Sequence, residues 1–359
     1  IFQLTFLLGN PIGELIGTGL DRLGTWIKQA LQALPWLGGM LHDAIINGVG
    51  GVLALFPNIF ILFVFLSALE DSGYMARIAF VMDGLMSRIG LSGKAFVPFV
   101  IGFGCSVPAV MATRTLESKR DRIITILSAP LVTCSARMEV LVFVAGAFFG
   151  ASAGNFVWAV VALSLALSVG TAKLFGLVLF KNQPPTPLLI ELPPYRVPTI
   201  RSVLIHTWDR AKHFIKKAGG VILIGSLVFW VASSIPWGVR LEDTIIGQIG
   251  HFISFVFTPL GLDWHASVAL LFGIVAKEVV IAVFGQLGDG SHDNISKWYS
   301  ASSALGLMVF LNLYTPCLAT IAATKAEAGW KWATFQIAYS LALAWIMAFL
   351  TVKVSAIFL

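Results

Sequence analysis

The sequence predicts an all-α polytopic membrane protein, a helical bundle in which several helices are broken or re-entrant. Of its 359 residues, 57% are hydrophobic and only 12% are charged, about half of the roughly 25% charged residues typical of soluble domains. Apolar stretches of about 20 residues, long enough to cross a bilayer as a helix, recur along the chain. Proline and glycine interrupt several of these stretches, which predicts irregular backbone at membrane depth.

The predicted elements follow from this pattern in chain order. A mixed segment at residues 9–43 is expected to be an interfacial helix. The apolar stretches then predict membrane spans at residues 45–69, 123–149, 156–180, 219–235, 267–286, 301–324 and 333–357. Between the first two spans, residues 95–112 contain Pro98 and Pro108, so we expect a broken or re-entrant helix there.

Basic residues orient the chain in the membrane. They collect in residues 113–122 and 181–217, and the positive-inside rule places both segments in the cytoplasm. In the second segment, Leu204, Trp208, Ala211 and Ile215 share one helical face, which predicts an amphipathic helix lying on the lipid bilayer. The protein is therefore expected to be multi-pass and in contact with anionic lipid headgroups.

An internal repeat relates the two halves. Glu70, Cys105 and Thr113 follow one another at intervals of 35 and 8 residues. Glu278, Cys317 and Thr324 follow at intervals of 39 and 7 residues. Duplication of this kind is frequent in transporters, whose substrate site lies near mid-membrane on interrupted helices. Parallel and inverted arrangements of the halves both remain open.

Three cysteines lie beside predicted helix breaks. Cys105, Cys134 and Cys317 each stand near a proline, and a proline frees a backbone carbonyl that a cation could use. Thiolate is a soft ligand that separates ferrous iron from magnesium and calcium. The alternative is that cysteine here is a small buried hydrophobic residue.

Ionisable residues inside spans are candidate functional groups because burying them is costly. They are Arg137 and Glu139 in one span and Lys277 and Glu278 in another. An internal ion pair that only joins helices is the alternative. The repeat makes Glu70 and Glu278 stronger candidates for a functional role, although Glu70 could equally be a solvated residue at the end of a span.

Several function classes lack support in the sequence. The histidines form no HExxH motif, and no GxxxxGK[ST] loop occurs, so a zinc protease or nucleotide hydrolysis by this chain is not predicted. Three cysteines without CxxC spacing do not indicate disulfides. The basic residues form no groove with exposed aromatics, which argues against nucleic acid as a partner.

Residues 102–117, GFGCSVPAVMATRTLE, resemble the first Gate motif of the FeoB family of ferrous iron transporters. Further segments that resemble the family are residues 2–6, 191–196, 276–280 and 314–320. The resemblance covers nearly the whole chain. One departure is Met138-Glu139, where the family usually has Leu-Pro, and this adds Glu139 as an acidic candidate ligand.

The resemblance implies a single permease domain over residues 1–359, with a first Gate repeat at about 45–149, an interfacial elbow and helix at about 181–217, and a second repeat at about 264–357. It implies a ferrous iron permease of the bacterial inner membrane. The cysteines that match Cys105, Cys134 and Cys317 are proposed to line the iron path, and Glu70, Glu139 and Glu278 complete the expected metal-ligand set.

The family also implies partners that this chain does not contain. A GTP-binding domain precedes the permease and would hold GTP and Mg²⁺, and we expect it to be absent here, so this chain is not expected to be an enzyme. A small FeoA-like cytosolic protein is a usual partner, and no covalently bound cofactor is expected. Homo-oligomerisation is left open by the sequence.

Two other functions remain as alternatives. A Gate-type nucleoside or other solute carrier is one, but such a substrate calls for aromatic stacking and amide hydrogen bonds rather than thiols at helix breaks. A membrane metalloenzyme is the other. Against an enzyme stands the lack of a compact set of nucleophile, base and orienting residue in the sequence.

Overall fold

A computed structural model describes residues 2–30, 38, 47–181, 195–214, 220–235, 243–287 and 298–358, and the chain forms no β-strand in these ranges. The predicted all-α membrane fold is confirmed. The first eight helices are α1 (Phe2–Ala30), α2 (Asn47–Asp71), α3 (Tyr74–Ile89), α4 (Phe96–Gly102), α5 (Ser106–Ala112), α6 (Lys119–Ser128), α7 (Ser135–Phe149) and α8 (Ala153–Val178).

The remaining helices are α9 (Ile200–Phe214), α10 (Gly220–Ser234), α11 (Ile245–Phe257), α12 (Trp264–Val275), α13 (Val279–Leu287), α14 (Ala301–Leu313), α15 (Leu318–Ala328) and α16 (Trp330–Phe358). In the described part of the chain, three runs are long and apolar enough to cross a membrane: Lys119–Val178, Ala301–Ala328 and Trp330–Ile357. Counting each sharply bent helix pair as one span raises this number to five. The protein is a multi-pass membrane protein.

The helices form two compact units, residues 1–80 with 189–239 and residues 81–188 with 240–359. In the first unit, α1 and α9 both pack against α2. The Ser202 hydroxyl of α9 donates to Asp71 Oδ2 at 2.8 Å, and the Arg77 guanidinium lies 3.4 Å from the centroid of the Tyr195 ring. These contacts join α9 to the end of α2, and the segment before α9 to the beginning of α3.

Two elements of the first unit differ from prediction. Helix α1 is continuous from Phe2 to Ala30 through Pro11, so the apolar opening and the mixed segment form one helix. The predicted continuation of that segment to residue 43 lies almost entirely outside the described residues. In α9, the buried residues are Val203, Thr207 and Ala211, and Ile215 lies outside the described part.

The side of α9 that packs is therefore rotated by about one residue from the predicted face. Leu204 and Trp208 belong to the predicted apolar face but are 48% and 57% exposed. Large apolar side chains left outside the protein are suited to contact lipid, as expected for an interfacial helix. The amphipathic pattern thus identified the helix but not which of its residues face α2.

The second unit contains helix breaks at four places. They separate α4 from α5, α6 from α7, α12 from α13 and α14 from α15. Pro130 and Pro316 lie at two of these breaks, as predicted. The predicted span at 267–286 is divided, because Ala276 adopts extended backbone and ends α12. Helix α11 is an additional apolar element that we did not predict.

Ion pairs fix one end of the second unit. The Glu327 carboxylate, 3% exposed, bonds Arg114 at 2.5 Å and Arg122 at 2.7 Å. Phe180, just after α8, stacks on Trp332 with ring centroids 6.0 Å apart. The basic segment 113–122 and the ends of α8 and α15 therefore lie at one end, which the positive-inside rule assigns to the cytoplasm.

An aromatic cluster lies at the turn between α11 and α12. Asp263 caps α12 by accepting from the backbone N–H groups of His265 and Ala266, a common way to satisfy free donors at a helix start. Its other carboxylate oxygen lies 2.5 Å from His265 Nδ1, and Tyr299 also bonds this carboxylate. The His265 ring stacks on Trp298, with centroids 4.4 Å apart. The cluster fixes the turn before α12.

Candidate functional site

Each of the three cysteines stands directly before a helix. Cys105 precedes α5, Cys134 precedes α7 and Cys317 precedes α15, and none of these side chains accepts a capping hydrogen bond from the backbone of its helix. All three are free thiols of intermediate exposure, whereas the adjacent residues Gly104 and Thr133 are buried. A cysteine that only fills the core would be expected to be fully buried. The helix starts therefore present these thiols rather than enclose them.

The breaks bring the three thiols toward one another. Cys105 interacts electrostatically with both Cys317 and Cys134, and also with Glu278. Ser135, which follows Cys134, donates from its backbone N–H and its hydroxyl to the Gly104 carbonyl at 3.3 and 2.9 Å. This pair of hydrogen bonds holds the break before α5 against the break before α7. The Cys317 Sγ lies 3.2 Å from Thr320 Oγ1.

Two of the three predicted carboxylates belong to the same region. Glu278 lies in the turn between α12 and α13 and interacts electrostatically with Cys134 as well as Cys105. Glu139 stands on α7 and interacts with Glu278. Helix α7 continues through Met138-Glu139 without a break. The cysteines and these two carboxylates therefore surround a common region.

The third predicted carboxylate, Glu70, belongs to the first unit, where it is an exposed residue in the last turn of α2. Its proposed role is a prediction of the sequence repeat alone. Across the described ranges, no three histidine, cysteine or acidic side chains converge closely enough to hold one metal ion.

The carbonyls freed by Pro108 and Pro130 have hydrogen-bond partners within the protein, whereas we expected them to be open to a cation. A proline lacks the N–H that would bond the carbonyl four residues earlier. For Pro108 that carbonyl belongs to Gly104, which accepts from Ser135. For Pro130 it belongs to Ile126, which accepts from Gln336 Nε2 at 3.1 Å. Buried carbonyls without partners would be costly in a membrane.

Arg137 bridges two of the breaks. Its guanidinium, on a residue only 3% exposed, donates to the carbonyls of Pro130 at 2.6 Å and Tyr314 at 3.3 Å. The first carbonyl precedes Cys134, and the second precedes Cys317. The alternative was an internal ion pair that only joins helices, but these bonds show that Arg137 instead satisfies backbone acceptors of two breaks.

Lys277 bonds the Thr315 carbonyl, which follows the Tyr314 carbonyl that Arg137 bonds. It is 4% exposed, its Nζ donates to the Thr315 carbonyl at 2.7 Å, and the same atom lies 3.2 Å from the centroid of the Tyr314 ring. Lys277 also interacts electrostatically with Cys317, Cys134 and Glu278. Two basic side chains therefore lie among the candidate ligands.

The sequence did not predict the side chains that hydrogen-bond the other carbonyls near the break between α6 and α7. Gln336 and Tyr339 of α16 donate to Ile126 and Leu127, and Ser168 of α8 donates to Ser128 at 2.7 Å. Polar residues at helical spacing within apolar helices were the available signal, because such residues need buried partners. Their partners, however, lie about two hundred residues away for α16.

Comparison with protein families gives two matches along this chain. The family model described as "Gate: Nucleoside recognition" matches residues 52–148 and 215–331, which is more than half of the chain. A second model, "Ferrous iron transport protein B C terminus", matches residues 157–210 between them. The Gate matches include the breaks that carry Cys105, Cys134 and Cys317.

Curated relatives resemble the chain over its whole length. It is 41% identical to the Fe(2+) transporter FeoB of Methanocaldococcus jannaschii, with 97% of this chain and 54% of the relative covered. It is 39% identical to that of Staphylococcus aureus, covering 100% and 56%. A fusion of Fe(2+) transport protein A with FeoB from Porphyromonas gingivalis is 39% identical, covering 100% and 49%. The chain thus spans about half the length of these relatives.

Proposed function

Since the chain belongs to the FeoB family within the Gate proteins, we propose that it is the permease through which a longer protein takes up ferrous iron. The observation that carries the proposal is the gathering of Cys105, Cys134 and Cys317 with Glu278 at helix breaks. Thiolate and carboxylate oxygen together suit a borderline divalent cation. In this proposal iron is the substrate, and no resident metal is required.

Iron passes by exchanging a few ligands at a time. One thiolate with one carboxylate and water would bind iron firmly enough to replace part of its hydration shell, but loosely enough to release it. The absence of a compact set of three ligands within the described ranges supports this view. Cys105 and Cys317 contribute the principal ligands, with Cys134, Glu139 and Glu278 beside them, and Glu70 is a ligand candidate from the repeat alone.

The remaining parts of the system lie outside this chain. A GTP-binding domain with Mg²⁺ in the same protein controls the permease, which itself catalyses no reaction. A FeoA-like protein acts with it, a partnership supported by the name of the Porphyromonas gingivalis fusion relative. The protein resides in the bacterial inner membrane. The two Gate repeats at about 45–149 and 264–357 form one permease domain with the elbow at 181–217.

One observation favours a second candidate, a nucleoside carrier, because the matching Gate model is described as "Nucleoside recognition". The deciding experiment is anaerobic uptake of labelled ferrous iron into vesicles that contain the full-length protein. We expect saturable iron uptake that manganese or zinc inhibits weakly and a nucleoside does not inhibit. Uptake of the nucleoside without uptake of iron would reverse the assignment.

A further inference from the structure

Lys277 makes contacts that a free cation could also make. Its ammonium group lies against one carbonyl oxygen, that of Thr315, and against the face of the Tyr314 ring. Carbonyl oxygens coordinate monovalent cations in selective pores, and an aromatic face attracts cations through its quadrupole. The lysine therefore fills a place with the chemistry of a monovalent-cation site, one residue before Pro316-Cys317.

Arg137 and Lys277 differ in how firmly they are held. The Arg137 guanidinium bonds carbonyls from two breaks at once, as its planar fork allows. Lys277 bonds a single carbonyl through a flexible four-carbon stem. Lys277 also lies in the turn between α12 and α13, where Val280 N–H bonds the Lys277 carbonyl at 3.3 Å but the regular helical pattern of α7 is absent. Of the two cations, Lys277 is the one that can be displaced locally.

We propose that the Lys277 ammonium is a tethered cation that occupies the position beside Thr315 in the absence of iron and excludes monovalent cations from the path. This inference rests on the proposed permease function. A lysine attached to the site competes at a high effective concentration, so sodium or potassium, with the same charge, gains little by replacing it. At equal distance, a divalent ion interacts about twice as strongly as a monovalent one with a given carbonyl or carboxylate oxygen, and can displace the ammonium from Thr315.

The charge of Lys277 is separable from its size and hydrogen bond by substitution. Lys277→Met keeps most of the aliphatic stem, Lys277→Gln keeps an N–H donor for the Thr315 carbonyl, and Lys277→Arg keeps the positive charge. The matched control is Lys353→Met. Lys353 also lies over an aromatic ring, with Nζ 5.5 Å from the Phe349 centroid, but it is exposed on α16.

The measurement is potassium flux, together with iron uptake, in vesicles containing each full-length variant at equal protein density. We expect Lys277→Met and Lys277→Gln to raise iron-independent potassium flux about tenfold or more above the parent protein. Lys277→Arg and Lys353→Met should leave the vesicles as tight to potassium as the parent protein.

If vesicles with either neutral variant stay as impermeable to potassium as those with the parent protein, the tethered-cation role is overturned, whether or not iron uptake continues. If Lys277→Met fails to insert, Lys277→Gln decides alone, and loss of both from the membrane would assign Lys277 to folding instead. A parent protein that takes up no iron but becomes leaky to potassium in both neutral variants would refute the proposed function while supporting the tethered cation.

Discussion

At the residue scale, the cysteines differ from their surroundings in being presented at helix starts. A thiolate next to the first backbone N–H groups of a helix is favoured by the positive end of the helix dipole. Cys134 and Cys317 precede helices of 15 and 11 residues, whereas the helix after Cys105 has 7. The three thiols thus share a position at a helix start, but the helix that follows Cys105 is shorter than the other two.

Replacing Cys317 or Cys105 with serine should abolish ferrous iron uptake while leaving membrane insertion intact. A neutral hydroxyl is a much poorer ligand than thiolate for a borderline cation. At position 317 the structural cost should be small, because Thr320 Oγ1, now 3.2 Å from Sγ, can bond the new hydroxyl. Iron uptake and the protein's elution profile in detergent are the measurements.

The control for this prediction is Ser135→Ala, which removes the hydroxyl bond to Gly104 without touching a thiol. Loss of iron uptake in that variant would show that packing of the breaks, not ligand chemistry, limits transport. If Cys317→Ser and Cys105→Ser both insert and transport iron at the parental rate, the thiols are not ligands, and Glu139 and Glu278 become the leading candidates.

At the element scale, the prolines and the apolar stretches predicted the broken helices, because a proline disrupts a helix at its own position in the chain. The sequence could not reveal the partners of the carbonyls at the breaks, since Gln336, Lys277 and the bond from Arg137 to Tyr314 reach them from other parts of the chain. The break at Ala276–Glu278 was missed for a related reason: the stretch contains no proline, and its apolar residues on both sides read as one continuous helix.

Glu327 is predicted to stabilise the cytoplasmic end of α15 by bonding two arginines. Glu327→Ala removes a carboxylate that is only 3% exposed and bonds Arg114 and Arg122. Because both arginines are partly exposed and can regain water, we expect a loss of about 2 kcal/mol. For a chain of 359 residues, this corresponds to a decrease of about 3 °C in Tm, measured by thermal unfolding in detergent.

The matched control is Glu117→Ala, which removes an exposed ion pair of the same segment. Glu117 bonds Lys94 at 2.7 Å but is 74% exposed, and the hydrogen bond from Lys94 lowers its pKa. Exposed pairs contribute little to stability, so its Tm should stay at the parental value. Equal shifts for the two variants would show that the buried position of Glu327 has no special effect.

At the scale of the whole molecule, the second unit has a direction. Residues 301–328 form one run long enough to cross the membrane. The run ends at Glu327 beside Arg114 and Arg122, so we expect its beginning near Ser302 to lie on the opposite side of the membrane. The sequence predicts a cytoplasmic position for the basic segment 113–122, but charge alone does not orient the second half, and the contacts of Glu327 extend the expected orientation to it. The sequence did not predict the division of the chain into two compact units, because that division depends on contacts between segments that are distant in the chain.

This direction predicts opposite accessibility for Glu117→Cys and Ser302→Cys. A bulky maleimide that cannot cross the membrane should label position 117 only from the cytoplasmic side and position 302 only from the other side. Labelling of both positions from one side would contradict the crossing by residues 301–328. The parent protein, labelled in parallel, corrects for its three native thiols.

The hydrogen bonds from α16 to the break after α6 can form only after α16 has been synthesised. Gln336 reaches a carbonyl made 210 residues earlier in the chain, and translation at about 5–20 residues per second takes about 10–40 s over that distance. During this interval Ile126 has no partner from α16, and water or the insertion machinery has to satisfy it. A chain truncated before α16 should therefore leave α6 and α7 unable to insert stably in the bilayer. The truncated protein should then be degraded by the proteases that remove unfinished membrane proteins.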